Sequence, residues 1–242
     1  GRLFTLFATD LQTISVTMNI MSALASAFTI LFLFWTITHL ARKIMVKEER
    51  DLHLKNIISM MGAGAVGALA YTFSDTFWFS AVEAEVYATS SLFTAFVFWA
   101  ILKWENIADE PHSNRWIILI AYLMGLSIGV HLLNLLAIPA IVLVYYFKKY
   151  KPTTWGVVAS LLISSLILGA MMYVVIPGVV ALGSRIELMF VNGFGLPFHS
   201  GLIVYSFLLF AALAFGIWYT YQKKKVLWNT VMTVFTVIAI GY

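Results

Sequence analysis

The sequence contains no cysteine, so no disulfide can staple the chain and no thiolate can bind a metal. That absence selects no redox compartment. Charge is scarce as well: Asp, Glu, Lys and Arg make up 11% of the 242 residues, against 62% hydrophobic ones. A soluble domain has no use for so little charge, and apolar runs of about twenty residues place the chain among multi-span helical membrane proteins. Three catalytic motifs are missing: a glycine loop ending in Lys-Ser/Thr, a His-Glu-x-x-His pair and a Gly-x-Ser-x-Gly elbow. Nucleotide hydrolysis, zinc proteolysis and serine hydrolysis therefore have no support. No repeat, low-complexity tract or linker divides the sequence, so residues 1–242 read as a single transmembrane domain. A Gly at position 1 and an apolar run still open at Tyr242 read as the ends of a fragment of a longer protein.

What is present is a series of apolar segments. They cover 14–40, 56–73, 81–104, two limbs within 116–147, 154–180, 201–221 and 226–242, after an amphipathic lead-in over 1–13. These eight segments predict an all-α, polytopic transmembrane bundle with both ends on the same side. Gly62, Gly64 and Gly67 predict close approach of a neighbouring helix. The limbs of 116–147 have about 16 residues, or about 24 Å, each. That is short against about 30 Å of hydrocarbon, and the turn is expected near residues 129–134. A Gly-rich loop is expected over 181–200.

Charge sets an orientation. Thirteen of the fifteen basic residues fall in four connections, around 42–55, 103–115, 148–151 and 223–225, and only Arg2 and Arg185 fall elsewhere. This is a positive-inside pattern, so the net charge of +4 reports topology and not a nucleic-acid footprint. Asp10, Asp75, Glu83, Glu85 and Glu187 then lie on the outer side.

The chemistry is expected in residues 74–88, which hold three carboxylates and a ring cluster with no basic residue. Acids at a bilayer boundary are costly, and they usually face a water-filled cavity. Ser80 and Glu83 fit a capping box, which would make Glu83 a structural residue; the other reading points it into the cavity. Glu85 would lie two residues further into the same helix, where capping does not account for it. Asp75 is read either as a wet loop residue or as a third cavity acid. Phe77, Trp78 and Phe79 are read as an interfacial aromatic belt or a sugar-stacking platform. His131, in the short hairpin with Asn134 three residues on, is either a bonded core histidine or part of the site. Asp75, Glu83, Glu85 and His131 together could bind magnesium or manganese. The remaining histidines, His39, His53, His112 and His199, read as boundary or loop residues.

Three stretches carry a resemblance: residues 77–87 (Phe-Trp-Phe-Ser-Ala-Val-Glu-Ala-Glu-Val-Tyr), 125–134 (Gly-Leu-Ser-Ile-Gly-Val-His-Leu-Leu-Asn) and 30–36 (Ile-Leu-Phe-Leu-Phe-Trp-Thr). Up to about Tyr150 the chain resembles a bacterial multi-pass membrane family, known as a domain of unknown function, that is related to the protein O-mannosyltransferases of the C-type glycosyltransferase superfamily. The resemblance implies an integral enzyme of the inner membrane with its site facing the periplasm. It would move a sugar, mannose by analogy, from a polyprenyl-phosphate donor to a protein or glycan acceptor. In such a site Glu85, Glu83, Asp75 and His131 are the catalytic candidates. Trp78, Tyr87, Asn134 and Arg185 are candidates for substrate binding, Arg185 for the donor phosphate. The family's acid motif in the first outer loop does not appear here, and the main catalytic acid is expected upstream of Gly1. The rival reading is a transporter or membrane scaffold subunit with an acidic outer cavity.

Overall fold

The computed structural model describes residues 5–6, 10–47 and 52–241. The expected lead-in over 1–13 falls largely outside them. The described chain is all-α, with no strand among its described residues: α1 Leu11–Met45, α2 Leu54–Thr72, α3 Asp75–Val82, α4 Val86–Ile107 and α5 Asn114–Ile128. A 3₁₀ segment, Leu132–Ala137, leads into α6 Ile138–Lys149, followed by α7 Thr154–Ala170, α8 Ile176–Leu188, α9 Ser200–Gln222 and α10 Val226–Gly241. Five stretches are long and apolar enough to cross a membrane, or six if the bent pair α2 and α3 counts as one; α5 and α10 are shorter apolar helices. The eight apolar segments of the sequence are all here, and the protein is a polytopic helical bundle.

Some helix starts carry a side chain that satisfies a free amide. Asp10 caps α1, its carboxylate accepting from the Thr13 N–H at 2.7 Å and the Thr13 hydroxyl at 2.8 Å. Thr153 caps α7 by accepting from the Gly156 N–H at 3.0 Å. Pro139 sits in the first turn of α6, where its missing N–H removes no intrahelical bond.

The Gly-rich loop expected over 181–200 is largely helix. Helical structure runs without interruption over Thr154–Gly193, 40 residues or about 60 Å. Two π turns, Met171–Val175 and Met189–Gly193, flank α8. The first lies just before Pro177, which has no N–H for the carbonyl four residues back, and the wider turn accommodates that loss. Gly183, read as a loop residue, instead lets Tyr205 of α9 approach: a Cβ there would stand 3.1 Å from its ring. The true turn is short, with Gly195 at φ +66° and His199 at φ +72°.

Packing centres on α4 and α5. Val97, Ile101 and Trp104 of α4 are buried with Ile120, Leu123, Met124 and Ile128 of α5 and Leu135 of the 3₁₀ segment. α1 packs on α2 and α4, and α10 packs along α5. Phe32 of α1 stacks on Phe96 of α4 at 4.7 Å, with Trp99 beside both. Gly64 fits the expected close approach of α2, since a Cβ there would lie 2.5 Å from Thr38 on α1. Gly125 is tighter still in kind. Its Cβ would meet backbone, the carbonyl oxygen of Ile238 at 2.7 Å and its Cα at 2.8 Å.

One end of the bundle is tied by charge. Lys43 at the end of α1 pairs with Glu105 of α4. Lys149 of α6 donates to the Ala108 carbonyl at 2.7 Å and to Asp109 at 2.9 Å, and Lys148 pairs with Asp109 at 3.0 Å. The lysine thus closes the free carbonyl end of α4 as well as making an ion pair. These contacts gather three of the basic connections at one end.

Two outcomes follow from this packing. Gly125→Leu should lower the midpoint of thermal unfolding in detergent, because a side chain facing backbone cannot be relieved by a rotamer change; overpacking of this kind costs about 1–3 kcal/mol. An unchanged midpoint would mean that α5 and α10 do not touch there. Hydrogen bonds from Lys149 and then Lys148 hold the Asp109 carboxyl below the usual carboxylate range. Its stabilising contribution is therefore full above the ordinary Asp pKa, near 4, and is lost as pH falls through the lower folded-state value. The pair is exposed, so the effect is small. Asp109→Asn should flatten the acid side of the stability profile, and an identical slope in the variant would count against the tie.

Candidate functional site

At the other end of the bundle the helices break. α2 stops at Thr72, and α3 leaves at 67° to it. Ser74 marks the corner, its hydroxyl donating to the Tyr71 carbonyl at 2.8 Å, and the N–H of Trp78 bonds back to the Ser74 carbonyl at 3.0 Å. Phe77 anchors α3: it is buried, with its ring 4.5 Å from that of Tyr71. After Val82 the chain is extended at Glu83 and again at Glu85, the amide of Glu85 bonding to the Glu83 carbonyl at 2.8 Å, and α4 begins at Val86.

This overturns the capping box. Ser80 lies inside α3 and its hydroxyl donates to the Thr76 carbonyl at 3.1 Å, while Glu83 ends that helix. Glu85 is not further along the same helix but stands at the start of the next one, and its side chain makes no cap bond. α3 begins at Asp75 with Ser74 in the N-cap position but without a side-chain cap bond, and the contact of Phe77 with Tyr71 holds it in that register.

The break encloses a cavity of about 660 Å³ lined by Asp75, Glu83, Glu85, Tyr87, Ser80 and Tyr71, among others. All three acids of the stretch therefore face one space. None of the three carboxylates makes a hydrogen bond or ion pair among the described residues. A second cavity, of about 520 Å³, shares Tyr71 and Ser91 with the first and runs along α1, α2 and α4 past Thr29, Thr36, Thr94 and Phe98. On α4 the shared face is Tyr87, Ser91, Thr94 and Phe98, at the spacing of one helical stripe.

The other expected residues divide. Tyr87 lines the acid cavity, and its ring stands 5.6 Å from that of His131, so the hairpin tip touches the site. His131 is half-buried and accepts the Leu133 N–H on Nδ1 at 3.1 Å, capping the 3₁₀ segment and leaving Nε2 without a partner among the described residues. The turn falls where expected. α5 has 15 residues, about 22 Å, while the 3₁₀ segment lengthens the returning limb to about 30 Å. Trp78 lies outside the acid cavity, in a smaller adjoining one of about 340 Å³ that shares Asp75 and Phe79 with it, and stacks on Phe73. Asn134 is fully buried, donates to the Ser127 hydroxyl at 3.0 Å and ties the hairpin limbs. Arg185 lies within a helix, not in a loop, and does not line the acid cavity. Glu187 is used structurally, accepting from the amides of His199 and Leu202, the latter at 2.8 Å. Tyr71, Thr76, Ser80 and Ser91 were not foreseen as lining residues; the stripe through Tyr87 and Ser91 was the available signal. No three His, Asp or Glu side chains converge as a metal site among the described residues. The four residues expected to hold a cation do not form such a group.

Comparison with known families adds the deciding observation. Residues 1–154 match the family described as protein O-mannosyl-transferase TMEM260 N-terminal domain. The chain belongs to that family. The match spans α1 to α6 and stops where the long helix over Thr154–Gly193 begins, so every residue lining the acid cavity lies in the TMEM260-like part. No curated protein and no solved structure matches. Membership supports a glycosyltransferase-like role and relates the chain to the O-mannosyltransferases.

The contact between the hairpin tip and the acid cavity can be tested directly, because the chain has no cysteine of its own. With Tyr87→Cys and His131→Cys combined, a short bifunctional thiol reagent should give an intramolecular cross-link seen by mass spectrometry, since the native rings stand 5.6 Å apart. Tyr87→Cys with Arg185→Cys should give none. Cross-linking of the second pair in preference to the first would place Arg185, and not His131, at the site.

Proposed function

We propose that this cavity transfers a sugar, mannose, from a polyprenyl-phosphate donor to a hydroxyl of a protein or glycan acceptor, in a fold of the C-type glycosyltransferase kind. The reading rests on one observation: a cavity with three unpartnered carboxylates adjoins a more apolar one, the two sharing Tyr71 and Ser91 in their walls. A lipid-linked sugar has the same two parts, a polar head to be turned over by acids and a hydrocarbon tail to be kept among apolar side chains. In the step, the acceptor oxygen bonds to the anomeric carbon as the bond from that carbon to the phosphate oxygen breaks. The acceptor proton passes to a carboxylate, and polyprenyl phosphate leaves. We assign the base to Glu85, which is exposed into the cavity and has no capping duty. Glu83 and Asp75 orient the sugar hydroxyls, and His131, beside Tyr87, is the group closest to the role of charge stabiliser. Magnesium or manganese enters this reading only as a companion of the donor phosphate. The bias of basic residues supports an orientation with the acids on the non-cytoplasmic side, which in a bacterial inner membrane is the periplasm.

In the natural full-length protein, Glu85→Gln should leave folding and insertion intact and lower sugar transfer by about 10²-fold or more, the scale of losing a general base. Asp75→Asn and Glu83→Gln should act mainly on the apparent KM. If all three variants transfer sugar at the wild-type rate, the cavity is not the transfer site and a scaffold or transport role takes its place. Orientation has its own measurement. An impermeant thiol reagent added outside should label Ala84→Cys, between α3 and α4, and not Glu110→Cys at the tied end; the opposite pattern would move the acids to the cytoplasm.

A further inference from the structure

The tied end of the bundle carries a cavity that sugar transfer does not use. It has a volume of about 440 Å³ and lies between α1, α2 and α4, lined among others by Trp35, His39, Arg42, Met60, Trp99 and Lys103. Three of these are cationic or can become so, and they come from two helices. Lys43 nearby is already paired with Glu105. Arg42 and Lys103, by contrast, have no carboxylate partner among the described residues, and Lys103 lies 5.6 Å from the ring centre of Trp99. The Nε2 of His39 is buried and has no hydrogen-bond partner among them either. Charge snorkelling to a membrane surface explains Arg42 or Lys103 singly, but not a partnerless imidazole nitrogen sharing one cavity with both.

The walls are apolar. Met60, Met61 and Ile57 of α2 face the cations across the space, and Trp35 and Trp99 flank it. A soluble anion would meet the charges and leave these walls without a partner. A ligand with a phosphate and acyl chains satisfies both, and basic pockets between transmembrane helices are a known setting for acidic headgroups.

We propose that this cavity binds the phosphate of an anionic phospholipid from the leaflet at the tied end, with Arg42 and Lys103 on the headgroup, His39 donating from Nε2, and the acyl chains along Ile57, Met60 and Met61. The site is at the opposite end of the bundle from the acid cavity and does not depend on sugar transfer. Its occupant bridges α1, α2 and α4, and so braces the three helices that enclose the second, apolar cavity.

The test uses the whole protein in neutral detergent, titrated with phosphatidylglycerol, phosphatidylcholine or inorganic phosphate and followed by tryptophan fluorescence, since Trp35 and Trp99 line the cavity. Phosphatidylglycerol should bind saturably and about tenfold or more tighter than phosphatidylcholine. The double variant Arg42→Gln with Lys103→Gln should weaken it by about tenfold or more, whereas Lys148→Gln with Lys149→Gln, at the same end but paired with Asp109, should stay within about twofold. Circular dichroism and elution volume check folding; should the double variant fail them, His39→Gln alone must still weaken the anionic lipid selectively. Equal losses in the two double variants would reduce the effect to surface charge. Equal affinity for the two lipids, or for inorganic phosphate and phosphatidylglycerol, would overturn the assignment to an anionic lipid.

Discussion

Hydrocarbon cannot hydrogen-bond a peptide group, so a chain within a membrane can leave the helix only where protein or water takes over its amides and carbonyls. The organisation of this bundle follows from that constraint. The helix breaks between α2, α3 and α4 and at the tip of the α5–α6 hairpin each have local substitutes. The Ser74 hydroxyl takes the Tyr71 carbonyl, the Glu85 amide takes the Glu83 carbonyl, and the His131 amide bonds to the Ser127 carbonyl at 2.7 Å while its ring accepts from Leu133. The breaks meet at one end because a break lining a cavity shared with another break is satisfied more fully than one facing lipid. The acid cavity is lined by the breaks between α2, α3 and α4, and the hairpin tip meets it at Tyr87 through His131.

Much of this was legible in the sequence, for physical reasons. Apolar runs and basic clusters are one-dimensional quantities, and they gave the segments and the two ends. The turn at 129–134 was legible because the apolar run over 116–147 is too short to cross twice at full length. The corner at 74–86 was not, since two overlapping start signals compete there. Ser74 with Asp75 and Ser80 with Glu83 both fit a helix start, and the choice rests on Phe77 meeting Tyr71 of another helix, which no local pattern carries. The loop expected at 181–200 fails for a related reason. Gly183 serves close approach to Tyr205 and not a turn, and spacing alone cannot separate these two uses of glycine.

Burial follows the same division. The largest fully buried side chains, Trp104, Ile101, Leu135, Val97 and Asn134, belong to the part of the chain that matches the family, and Ser164 is a small one beyond it. The long helix over Thr154–Gly193 buries much less of its surface, with Trp155 and Tyr173 each 81% exposed. At about 60 Å it is twice the thickness of the hydrocarbon, so tilt alone does not contain it and one end stands beyond the apolar layer. The helices that form the cavity are held by one another; this one packs on α6 at its start and on α9 along α8.

The tie between Lys149, Ala108 and Asp109 has a further consequence when seen with the contact at the far end of the same hairpin. α5 and α6 are held at their bases by this tie and touch Tyr87 at their tip through His131. The hairpin is therefore a ruler with one end clamped. Each residue of α5 moves the tip by about 1.5 Å along the bundle and turns it by about 100°, so the depth and bearing of the imidazole are set by the number of residues between Asp109 and His131. Inserting one residue into α5 would therefore carry His131 out of register with Tyr87.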